Sequence, residues 1–251
     1  MNAETTDLII IAVILAIGAV LALVAWRRLS GRSGLPDIDD TPDRPVRFGW
    51  KIYWLAVPAD DTDAVVSALQ ASDRRFADSE ARRCNWRSAL DRIFANFHNP
   101  EVFVTPPVDG WVLLVNWEPS DETVDDYRST LEGLSSEFGE AYAFGSHRGV
   151  GLSMYAAARD GELLRCVYQA DGTQYIDVGE TLREEEELGF LTMDEVVERT
   201  SGEIDDHEAD AIWQRLPGEQ EVVDLAAELS LDPTSLGEVE ETGVGRLLRP
   251  S

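Results

Sequence analysis

The sequence predicts an α+β protein: a single N-terminal transmembrane helix followed by a mostly antiparallel sheet packed with helices. Three observations point there. Leu8 to Trp26, LIIIAVILAIGAVLALVAW, is an uncharged apolar run of nineteen residues. Between residues 50 and 180, strand-like segments are joined by Asp-Gly pairs, the strongest short hairpin signal. Beyond Thr181 the pattern changes to short amphipathic helices.

At the helical rise the first run spans about 28 Å, close to the hydrocarbon thickness of a bilayer. A cleavable signal peptide would begin with positive charge and end in small residues. This chain instead begins MNAETTD, and its apolar run ends in Trp26, Arg27 and Arg28. Trp26 suits the membrane interface, and Arg27, Arg28 and Arg32 mark the cytoplasmic side. Residues 1–7 are therefore expected outside the cell, residues 8–26 in the membrane and the soluble domain in the cytoplasm. The reversed topology is the alternative. Residues 27–47 are rich in Ser, Gly, Pro and Asp and read as a flexible linker. The soluble domain is expected over 48–236, with 237–251 as a loose tail.

Within that domain, Trp50 to Ala59 is rich in aromatic and β-branched residues and reads as a strand. Asp60 to Asp63 then supply helix caps before Ala64, Val65, Ala68 and Leu69 at helical spacing. In CNWRSALDRIFANF, Asn85 caps a helix with Trp86, Leu90, Ile93, Phe94 and then Phe97 on one face. Val102 to Trp117, VFVTPPVDGWVLLVNW, reads as strand, tight turn, strand. Its second strand is apolar on both faces, which predicts a central position in the sheet. Val124 to Phe138 follows as a helix presenting Tyr127, Leu131, Leu134 and Phe138, stopped by Gly139.

Three further strands are predicted at Ala141–Ser146, Gly151–Ala158 and Glu162–Gln169, with Asp171-Gly172 turning the chain into TQYIDVG. The last predicted helix buries Val222, Leu225, Ala226 and Leu229 and stops before Pro233.

The 251 residues carry a net charge of -27, of which residues 48–251 hold 42 acidic against 16 basic side chains. Such a surface repels phosphate backbones, so nucleic acid is excluded as a partner and a basic protein partner suits it better. Lys51 is the only lysine, which reflects genome composition or salt adaptation more than function. Cys84 and Cys166 lack any paired spacing and read as buried thiols.

CNWRSAL (Cys84–Leu90), the P-P-x-D-G-W hairpin within Val102–Val115, GELLRCVYQADG (Gly161–Gly172) and VVDLAAELSLDPTSL (Val222–Leu236) together resemble a family of bacterial hypothetical proteins. Some members of that family are similar to companions of secreted toxins, so the resemblance implies an immunity or interaction role. Asn85, Trp86, Asp109, Gly110, Trp111 and Arg165 match its shared pattern.

The residues themselves offer little chemistry. His98, His147 and His207 have no ligand spacing to one another, so no metal or cofactor is expected. Ser153 lacks a nucleophile elbow, and GVGLSM falls one glycine short of a dinucleotide fingerprint. Cys84 beside Arg82 and Arg83 is a candidate for a lowered pKa. The run Arg183–Glu187, REEEE, reads as a solvated helix start.

The candidate binding residues are Asp109, Trp111, His147, Arg148 and Arg165, with His147-Arg148 and Arg165 on neighbouring strands able to take an anion. The leading expectation is a membrane-anchored, acidic, non-enzymatic binding domain with an immunity or regulatory role. The alternative is an enzyme with a site near Arg148, Arg165 and Asp109.

Overall fold

Period-2 segments and tight turns dominate residues 50–180, and they build one antiparallel sheet at the centre of the molecule. The computed structural model describes residues 35–96, 98–119 and 123–251. Residues 37–251 form one compact unit. The strands are β1 (Tyr53–Pro58), β2 (Arg82–Cys84), β3 (Val102–Val104), β4 (Trp111–Val115), β5 (Glu140–His147), β6 (Leu152–Arg159), β7 (Glu162–Ala170), β8 (Thr173–Gly179) and β9 (Gly245–Leu248). Their order across the sheet is β2-β9-β3-β4-β1-β5-β6-β7-β8. Every pairing is antiparallel.

Three Asp-Gly pairs set the hairpins. Asp109, Asp160 and Asp171 take φ of 49°, 49° and 50°, and the glycines that follow take 83°, 83° and 73°. Two consecutive positive φ values are what a two-residue hairpin turn needs, and Asp and Gly tolerate them best. Val108 and Trp111 close the first turn with reciprocal backbone bonds of 2.8 and 2.9 Å. β4 lies between β3 and β1 with Val112 to Val115 buried, the central position its two apolar faces predict.

Among the described residues the α-helices are α1 (Thr62–Ser72), α2 (Trp86–Ala95), α3 (Val124–Phe138), α4 (Arg183–Leu188), α5 (Met193–Thr200), α6 (Asp206–Trp213) and α7 (Glu219–Leu229). On one face of the sheet Val65 and Leu69 of α1 and Tyr127, Leu131 and Leu134 of α3 pack over Ala143, Met154 and Cys166. On the other, Trp86, Leu90 and Ile93 of α2 and Val222, Leu225 and Ala226 of α7 pack over Phe144, Tyr155 and Val167. The sheet is thus the middle of three layers, with α1, α2, α3 and α7 each burying an apolar stripe against it. Cys84 and Cys166 belong to opposite faces and are free and buried.

Several expectations are corrected. The segment expected as a loose tail holds β9, which sits between β2 and β3 with Leu247 and Leu248 fully buried. A four-residue strand flanked by glycine and charge carries too little periodicity to be recognised alone. The later part of the expected linker is also docked. Asp43 exchanges backbone bonds with Gly243, and its carboxylate accepts from the amides of Trp86 (2.8 Å) and Arg87 (3.0 Å) at the start of α2. The Asp43 carboxylate thus satisfies helix-end amides rather than solvating a linker. Phe94 leaves its expected stripe and is 51% exposed. Leu8–Trp26 lies outside the described residues, and no described helix is long and apolar enough to cross a membrane.

Candidate functional site

A cleft forms where the β5–β8 meander meets the start of α4 and the end of α7. It begins with an irregularity in β7. Ala158 pairs with Leu163 while its neighbour Ala157 pairs with Arg165, so Leu164 is an extra residue in the ladder. A bulged residue bends its strand away from the regular face. Leu164 accordingly stands 36% exposed at the rim.

β8 closes against this bulge. At Gly179 φ is +91°, and a Cβ would lie 1.8 Å from the Leu164 carbonyl oxygen, so no other residue fits. The chain then turns through Glu180 and Thr181 into α4. The resulting cleft of about 640 Å³ has a floor that includes Tyr142, Ala157, Leu163, Leu182 and Leu229, and a rim that includes Arg159, Glu180, Arg183 and Glu184. That size and mixture of apolar floor and convergent polar groups is typical of ligand sites.

A buried network fixes the wall. Glu185 accepts from the Leu182 amide at 2.7 Å, from Arg165 Nε at 3.1 Å, and from the Tyr155 hydroxyl. Arg165 also donates to Asp177 and to the Gly179 carbonyl at 3.2 Å. The guanidinium is 2% exposed and Glu185 1%. Burial alone would lower the Arg165 pKa, yet the Glu185 hydrogen bond and charge outweigh it and hold it above the ordinary arginine value. Burial, then the Glu185 charge, raises the Tyr155 phenol far above its usual value, so it stays protonated and donating. This network ties α4 to β7 and β8 and commits Nε and Nη1 of the buried Arg165 to protein acceptors.

At the outer wall Tyr142 donates to Glu140 at 2.6 Å, and Arg159 lies 3.6 Å from the same carboxylate. Burial, then Glu140, raises the Tyr142 pKa. The Trp111 ring lies 6.0 Å from that of Tyr142.

The sequence-derived residues therefore divide. Asp109 and Trp111 lie at the cleft end of the sheet, Trp111 reaching Tyr142. Arg165 lies beneath the cleft, four strands from the Asp109 hairpin, roughly 19 Å at ordinary strand spacing. His147 and Arg148 lie at the opposite end. β6 separates β5 from β7, and Arg165 faces Ala157, which faces Tyr142, five residues along β5 from His147. The shared anion site of His147-Arg148 with Arg165 does not form. The site joining Arg148, Arg165 and Asp109 does not assemble either. Arg148 instead lies 3.9 Å from Glu219, which also accepts from the Lys51 amide at 3.2 Å.

Two other readings change. Glu185 is buried, so REEEE is only partly a solvated run. Cys84 does not have a lowered pKa: burial raises it, and Ser88 and Arg92 only partly offset that. Burial likewise pushes the Cys166 thiol up to about 12. Among the described residues no group of three or more His, Cys, Asp or Glu side chains is placed to hold a metal ion.

Sequence reasoning missed Tyr142, Arg159, Arg183 and Glu184 as cleft residues. No sequence signal marked them, because adjacent apolar residues such as Leu163-Leu164 occur equally in the regularly paired Cys166-Val167-Tyr168.

No protein family, curated protein or solved structure matches this chain.

Proposed function

We propose that this is a single-pass membrane protein, anchored by Leu8–Trp26, whose cytoplasmic α+β domain is a non-enzymatic binding module for a basic protein partner. The observation that carries the reading is the distribution of charge beside the cleft: residues 181–232 hold 17 acidic and three basic side chains. Such a one-signed layer steers and retains a cationic partner. The resemblance carried by C-N-W and P-P-x-D-G-W adds an immunity or regulatory role, with the partner a toxin-like or regulated protein.

The buried charges fit this reading, since they hold the fold. Arg92 donates to Glu101 at 2.9 and 2.8 Å, Arg82 at 2.7 Å, and Arg75 with Trp117 holds Asp73. The decisive test is a pull-down with the tagged full-length protein in detergent, run at low and high salt with mass spectrometry of the retained proteins. A basic protein held at low salt and released at high salt is the expected result. Retention of no protein at low salt would refute the reading. Protease added to intact cells should leave the domain uncut, whereas cleavage would reverse the topology.

A further inference from the structure

The two edges of the sheet differ. β2, at one edge, has three residues, RRC, two of them charged. Short length and charge are the usual defences of an open edge. β8, at the other, has seven residues, TQYIDVG, with no lysine, arginine or proline. No described strand pairs with its outer side.

β8 carries an exposed apolar side chain that an added strand could cover. Val178, paired with Cys166 on β7, is 38% exposed. β8 also runs directly into the cleft through Gly179 and Glu180. In strand addition the backbone supplies affinity, and a neighbouring pocket selects side chains. Here both elements are continuous.

We infer that β8 receives an extended basic segment of the partner as a tenth strand, seating one apolar side chain of that segment in the cleft. This rests on the binding-module reading above. Charge selects the occupant. On the rim Glu180 and Glu184 are balanced by Arg159 and Arg183, but the adjacent residues 181–232 hold 17 acidic against three basic side chains, so the surroundings of the edge attract a cationic segment. A second copy of this chain would bring the same negative charge to the edge.

The test uses full-length protein in detergent micelles and two fluorescein-labelled probes. One is an eight-residue peptide alternating valine with arginine. The other is the same peptide with alternate backbone amides N-methylated, which keeps its charge but removes the ladder donors. The expected result is at least tenfold tighter binding of the unmethylated peptide, with slowed amide exchange in residues 173–179. Val178→Arg should weaken that binding at least tenfold, and Val197→Arg, at a more open apolar site on α5 (52% exposed), should not.

Equal binding of both peptides would overturn strand addition and assign the affinity to charge alone. Absence of binding by either peptide would overturn it as well. Self-association of the protein that Val178→Arg abolishes would assign the edge to a second copy. If the pull-down still retains its salt-sensitive partner with Val178→Arg, the binding-module reading stands and only the β8 site falls.

Discussion

Arg165 shows how a single residue changes meaning between sequence and structure. A basic side chain in so acidic a protein suggests a ligand contact, yet this one closes a buried network with Glu185, Asp177 and Tyr155. Removing one partner of a buried pair strands a charge in low dielectric, typically at a cost of about 3–5 kcal/mol. Glu185→Ala should therefore lower unfolding free energy by about that amount in urea denaturation, and loosen the wall of the cleft. Glu101 gives a pH-dependent counterpart. Burial would raise its pKa, but hydrogen bonds from Arg92, Asn99 and Arg82 outweigh burial and hold it below the ordinary glutamate value of 4.5. A carboxyl with a depressed folded-state pKa stabilises fully above its unfolded value and loses that contribution as pH falls through the folded one. Glu101→Gln should accordingly be clearly less stable than the parent at pH 7, and the gap should narrow as the medium is acidified below about 4.5. Denaturant midpoints across pH would show parallel curves if Glu101 contributed nothing.

Elements were legible where a local signal was strong. Asp-Gly pairs announced three hairpins, Asn85 and Gly139 marked helix ends, and the spacing of Tyr127, Leu131 and Leu134 showed the buried face of α3. Elements whose reason is tertiary were not legible. β2 and β9 are short and pair only with residues far along the chain, and Asp43 looks like linker until α2 is placed beside it. The cleft was illegible for the same reason, since it depends on the bulge at Leu164 and on where α4 lands. Leu247→Ala on β9 should cost about 2–5 kcal/mol as a buried cavity, whereas Phe94→Ala on the exposed side of α2 should stay within about 0.5 kcal/mol. Asp43→Ala should cost about 0.5–2 kcal/mol through its lost helix-end bonds. Chemical denaturation of the three variants separates these cases, and a harmless Leu247→Ala would mean that β9 is not integral to the sheet.

For the whole molecule, the net charge of -27 opposes its own compaction. Like charges repel across the folded surface and salt screens them, with a Debye length of about 8 Å near 0.15 M. Thermal midpoints should rise as sodium chloride is added from low ionic strength, while partner binding weakens over the same range. A protein whose midpoint fell with salt would owe its stability to attractive surface pairs instead. The strand order also divides the sheet by sequence distance. β5 to β8 follow one another across short turns, but β9 joins β2 by setting Leu247 opposite Arg82. Closing so long a loop costs more chain entropy, so the meander should assemble first and the β2-β9-β3 region last. Pulse-labelled hydrogen exchange would then protect amides in β5 to β8 in the early phase. Until β9 docks, the apolar Val102–Val104 edge of β3 lies unpaired, and that interval is when newly made chains are most prone to aggregate.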